Sequence, residues 1–106
     1  FVNQLTSSPQ GKVLGNQLLR SGTSVGANYR SACNARSKAD FISKISISQE
    51  EADESAYWLE LVIGSNLIKN QEAEYLLKES KELSAILTSS IKTAKSNRNS
   101  ISKYKI

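Results

Sequence analysis

A chain of 106 residues with one Pro, five Gly and a net charge of +4 is sized for a single domain with one modest core, about two thirds of its unfolded surface becoming buried. Histidine is absent and cysteine occurs once, which excludes an intramolecular disulfide, a Ser-His-Asp or Cys-His arrangement and the usual zinc sites. No apolar run approaches the roughly 18 residues of a bilayer span and no signal-peptide pattern opens the chain, so a soluble cytoplasmic protein without metal or cofactor is expected.

Few turn formers and abundant Leu, Ile, Ala, Ser, Lys and Glu favour helix. Phe1, Val2 and Leu5 read as one apolar helical face that the chain enters without a methionine, so a segment upstream is expected to be missing. Ser8 and Pro9 then signal a new helix, Ser8 as cap and Pro9 at the first position, where its missing N–H would have no partner anyway. Leu14, Leu18, Gly22, Val25, Tyr29 and Ala32 recur at helical spacing, and Cys33 on this face reads as a small buried hydrophobe. Gly22 and Gly26 each cost a helix about 1 kcal/mol relative to Ala, which predicts that another backbone approaches them closely.

Ser37-Lys38-Ala39-Asp40 resembles a capping box and places the next helix start near Ser37. Its stripe is the most regular in the chain: Phe41, Ile45, Ser48, Ala52, Ser55, Leu59 and Val62 follow four-three spacing and suit close bundle packing. Gly64-Ser65-Asn66 supplies a stop, and Asn70 can cap a last helix with Glu72 and Glu74 in its first turn. Leu76, Leu77, Leu83, Leu87 and Ile91 carry its apolar face. The helical domain therefore spans 1–96, and 97–106 reads as a basic tail without period.

Two polar patterns stand beside these stripes, Arg20-x3-Ser24-x3-Asn28 on one helix and Glu51-x2-Glu54-x3-Trp58 on the next. Helices joined by a turn near Arg36 and Ser37 pack antiparallel, so facing residues have numbers summing to about 73 or 74. Arg20 then lies opposite Glu54, and Gly22 opposite Glu51. The expectation is an internal clasp of Arg20 with Glu54 and Glu51, completed by Ser24 and Asn28, which sets register more than it adds stability. Two carboxylates could instead form a general acid/base pair or a di-metal site. Such sites draw on Glu-x-x-His motifs and several helices, and this chain has no His, so the structural reading is favoured. Trp58 reads as a core anchor rather than a base-stacking platform. No catalytic residue is assigned.

The residues Arg20-Ser-Gly-Thr-Ser-Val-Gly-Ala-Asn28-Tyr-Arg, then Ser37-Lys-Ala-Asp-Phe41, Lys44-Ile45-Ser-Ile47 and Glu51-Ala-Asp-Glu54-Ser-Ala-Tyr-Trp58-Leu59, resemble the bacterial four-helix bundle proteins encoded in intervening sequences of 23S ribosomal RNA genes. The likeness covers roughly residues 5–95, and several unrelated residue types recur in order across two helices. It implies an all-α, up-and-down four-helix bundle with the first helix largely truncated in this chain, Phe1 to Thr6 being like its last turns, commonly a ring-shaped homopentamer with no established enzymatic activity. It also implies kinship with accessory proteins of diversity-generating retroelements, whose pentameric barrels bind nucleic acid and a reverse transcriptase. Ser31 departs from the family, which tends to carry Glu three residues after the Asn.

Charge is unevenly spread. Lys12, Arg20, Arg30, Arg36, Lys38 and Lys44 face Asp40 alone over residues 12–44, whereas residues 50–60 hold five acids and no base. Arg30, Arg36, Lys38 and Lys44 cluster near one end of the hairpin and are the candidates for phosphate contacts, with a normally solvated helix end as the plain alternative. Lys92, Lys95, Arg98, Lys103 and Lys105 near the end of the chain compete for that role. Two functions follow: an oligomeric scaffold that binds RNA or DNA through its backbone charge, or a protein–protein assembly module without nucleic acid.

Overall fold

The computed structural model describes residues 1–5, 8–65 and 71–96. Among them three long helices run in sequence, α1 (Pro9–Cys33), α2 (Lys38–Gly64) and α3 (Gln71–Ser96), preceded by a short 3-10 turn at Val2–Leu5. The tail at 97–106, like Asn66 and Asn70, lies outside the described residues.

Helix starts follow the caps. Ser8 is extended (φ −137°, ψ 156°), its hydroxyl accepts the Gly11 N–H at 3.0 Å, and Pro9 takes the first position. Ser37 repeats the device for α2 by accepting the Asp40 N–H at 3.0 Å. At the far end of α2 the helix stops at Gly64, where Ser65 stays right-handed (φ −81°) and its hydroxyl donates to the Val62 carbonyl at 2.9 Å.

Short connections make the neighbours antiparallel, and α2 lies between the other two helices. The result is an elongated rod of 53 × 19 × 14 Å. Ile45, Ala52, Leu59 and Val62 on α2 are each at most 1% exposed, and Ile45 and Ala52 pack with Val25 and Ala32 of α1 and Leu87 of α3. Full burial of each large aliphatic contributes about 1.5–3 kcal/mol. Serines line the α1–α2 seam, with Ser21 and Ser48 fully buried there. Ser48 donates to the Val25 carbonyl at 2.8 Å, while the Ser55 hydroxyl pairs with Ser21 Oγ at 2.8 Å and with the Glu51 carbonyl at 2.9 Å. These bonds make the polar seam tolerable, since a buried hydroxyl without a partner would destabilise.

Two expectations are corrected. The described residues form three helices rather than a four-helix bundle, and Phe1–Leu5 is not the last piece of an α-helix. Val2–Leu5 instead makes a 3-10 turn folded onto the start of α1, because extended Ser8 and the proline at position 9 separate it from that helix. The close-approach glycines are also different ones. A Cβ on Gly11 would lie 1.9 Å from the Leu5 carbonyl oxygen and one on Gly15 3.1 Å from Val2 Cγ1, whereas Gly22 and Gly26 have nothing within 4 Å. Leu5, 1% exposed, is the apolar group that the first two glycines admit.

Candidate functional site

Antiparallel register alone brings Arg20 of α1 to the carboxylates of α2. Its Nη1 donates to Glu51 Oε2 at 3.1 Å and its Nη2 to Glu54 Oε1, while Nε reaches Gln17 Oε1 at 3.3 Å. Trp58, one turn beyond, donates its indole N–H to the same Glu54 oxygen at 3.1 Å. Glu54 therefore receives two donors. The Arg20 hydrogen bond is the main cause holding its carboxyl below the usual 4.5, against partial desolvation, with the Trp58 bond and the Arg20 charge adding to the shift. Arg20 is raised in turn, first by its bond to Glu54.

The clasp is a surface feature rather than an internal one. The Arg20 side chain is 49% exposed and that of Glu54 34%, so water and salt screen the attraction and its role is to fix register. Ser24 and Asn28 do not complete it. Asn28 Nδ2 donates within α1 instead, to the Ser24 carbonyl at 2.9 Å and hydroxyl at 3.1 Å. Trp58 is half-buried, not a core anchor, and meets Tyr57 edge-to-face with ring centroids 5.1 Å apart. Cys33, expected in the core, is exposed: Ala32 takes the buried side of the final turn of α1, and a step of one residue turns the next side chain about 100° away from it.

The basic candidates gather at the α1–α2 turn. Arg30 and Arg36 are exposed, and Lys38 and Lys44 half-buried, on the end of α1, the turn and the first turns of α2. Because α3 runs antiparallel to α2, its C-terminal residues arrive at the same end. Lys95 and Lys38 line one shallow depression with Ala39 and Ile42. Lys92 lies one turn earlier and is exposed. Glu50, Glu51, Asp53, Glu54 and Glu60 occupy the later part of α2, and Glu72, Glu74, Glu79 and Glu82 the first half of α3. The rod is thus electrically polarised along its length, with its bases concentrated at the turn end.

A second concave feature lies between α1 and α3, which scarcely touch. This open groove encloses about 380 Å³ and is lined by Leu18, Leu19, Val25, Leu59, Leu76 and Leu83, with Phe1 and Val2 at its mouth. Among the described residues no group of three or more Cys, Asp or Glu side chains is placed to hold a metal ion, and no helix is long and apolar enough to cross a membrane.

A rod of antiparallel helices, tied by a charged clasp and basic at its turn end, defines an all-α helical-bundle protein. The profile of the 23S rRNA-intervening sequence protein family matches residues 2–89, and the chain belongs to that family. A solved structure similar to it is that of a protein with unknown function from the S23 ribosomal protein family of Bacteroides thetaiotaomicron VPI-5482. The two are 43% identical with a TM-score of 0.79, over 86% of this chain and 84% of that one. Among curated proteins none matches the chain.

Proposed function

We propose that this protein is a non-catalytic, self-assembling scaffold that binds RNA or DNA by its phosphate backbone. The observation that carries the proposal is the convergence of Arg30, Arg36, Lys38 and Lys44 with Lys92 and Lys95 at one end of the rod. Basic side chains of this kind contact phosphate, so on this reading the binding is governed by charge and not by sequence. One subunit supplies a modest field. A ring of copies, a homopentamer, multiplies it and presents several basic ends to one strand.

The groove between α1 and α3 supports a second element of the same reading, a fourth helix seated there to complete an up-and-down four-helix bundle. Its walls are largely apolar, with Leu18, Leu19, Val25, Leu59, Leu76 and Leu83 among them. The same groove favours the second functional reading, a protein–protein assembly module without nucleic acid.

Retention of the protein on immobilised single-stranded RNA and on duplex DNA, at low and at physiological salt, separates the two readings. The scaffold reading predicts retention at low salt that the Arg36→Gln/Lys38→Gln/Lys44→Gln/Lys95→Gln variant loses. Absence of retention, or retention unchanged in that variant, overturns it in favour of the protein module.

A further inference from the structure

Two of the bases at the turn end differ from the others in sharing a concave surface. Lys38 stands in the first turn of α2 and Lys95 in the last turn of α3, and with Ala39 and Ile42 they line one depression. Its volume, about 450 Å³, is that of a small-ligand site. The two helix ends that frame it are fixed from beneath. Phe41 of α2 and Ile91 of α3 pack against the core, and Ile45 is 1% and Ala94 6% exposed. A recess framed before its ligand arrives loses little entropy of ordering when it is filled.

Charge selects the ligand. No acidic residue lines the depression. Asp40, the acid of the first turn of α2, follows Lys38 by two positions and is turned about 200° from it around the helix, and α3 has no acid after Glu82. Two ammonium groups bordering one recess match a dianion. A phosphodiester within a strand carries a single charge, whereas a phosphate monoester at the end of a strand carries about −1.5 to −2 at pH 7 and offers three terminal oxygens. Lysine meets such a group as a point charge, without the planar fork of arginine. Ala39 and the half-buried Ile42 add an apolar wall for the sugar and base next to that phosphate. We infer that the depression holds the terminal phosphate of an RNA or DNA strand, with Lys38 and Lys95 reaching its oxygens from two helices. This site rests on the scaffold reading above and names the part of the strand that the basic end takes.

Fluorescence anisotropy at low salt tests it, with one internally labelled single-stranded RNA sequence bearing a 5′-phosphate, a 3′-phosphate or hydroxyls at both ends. A strand with a terminal phosphate is expected to bind the wild-type protein roughly tenfold more tightly than the strand without one, the size of one charge-assisted hydrogen bond. Lys38→Gln and Lys95→Gln are each expected to abolish that preference. Lys92→Gln, one turn earlier on α3 and outside the depression, should weaken all three strands alike and keep it. Equal affinity of the wild-type protein for all three strands overturns the terminal-phosphate site and leaves the scaffold reading standing, whereas binding of none of them overturns that reading itself. A preference that both lysine variants retain overturns the assignment to this depression. Circular dichroism melts verify that the variants are folded, and Lys95→Gln, at an exposed position, carries the test alone if Lys38→Gln lowers Tm.

Discussion

The four glycines in the body of α1 should respond to the same substitution with opposite signs. Gly22 and Gly26 face open space, so Ala at either position gains helix propensity without a clash and should stabilise this chain by about 0.5–1 kcal/mol. At Gly11 the added methyl meets the Leu5 carbonyl oxygen at 1.9 Å and its carbon at 2.9 Å, and backbone cannot yield as a flexible side chain does. The Val2–Leu5 turn must lift. Leu5, 1% exposed, then loses burial worth about 1.5–3 kcal/mol, which the propensity gain of at most about 1 kcal/mol does not offset. Gly11→Ala should therefore destabilise by about 0.5–2 kcal/mol net, the difference between those two contributions. In thermal melts followed by circular dichroism at 222 nm, each 1 kcal/mol moves Tm by about 4–8 °C for a domain of this size. Gly22→Ala and Gly26→Ala should melt higher than wild type and Gly11→Ala lower. A Gly11→Ala protein as stable as wild type would mean that the turn is not docked on α1, and the account of the chain's start would be wrong.

Leu59→Ala, at a position 1% exposed toward the C-terminal end of the α2 seam, should destabilise by about 2–5 kcal/mol in urea titration; a loss below about 1 kcal/mol would place Leu59 outside the core. Acid should weaken the clasp in a defined direction. Glu54 titrates below its usual 4.5 when folded, so the unfolded chain takes up the proton first on acidification. The stabilisation is complete above 4.5 and is lost as pH falls through the folded value. A plot of Tm against pH should accordingly be flatter for Glu54→Gln than for wild type in the acid range, and parallel curves would refute the Arg20–Glu54 contact.

The caps and the α2 seam were legible in the chain because both are local. Ser8-Pro9 and Ser37 act on backbone within three residues, and a four-three repeat states which side of its own helix is buried. The Arg20–Glu54 pairing was legible for a related reason: once two helices are joined by a short turn, register follows from arithmetic on residue numbers. What lay beyond local pattern was harder to read. Ser24 and Asn28 share a stripe with Arg20, but short side chains at that spacing bond more readily along their own helix than across to the next. Gly22 and Gly26 suggested close packing by residue type alone, which does not tell them from Gly11 and Gly15; the latter pair follows Ser8-Pro9, where the preceding chain turns back onto α1. Lys92 and Lys95 were grouped with the tail, and only the antiparallel course of α3 brings them to the α1–α2 turn.

The dependence of RNA affinity on salt tests the central claim most directly. Each phosphate contact on a single strand adds about 0.7 to the slope of log K against log salt. Wild-type protein should bind single-stranded RNA with a steep negative slope, and the Arg36→Gln/Lys38→Gln/Lys44→Gln/Lys95→Gln variant should lose roughly 3 from it for each subunit engaged, four contacts at that value. An unchanged slope, or no RNA binding by the wild-type protein at low salt, would contradict the assignment of the basic end as a nucleic-acid surface.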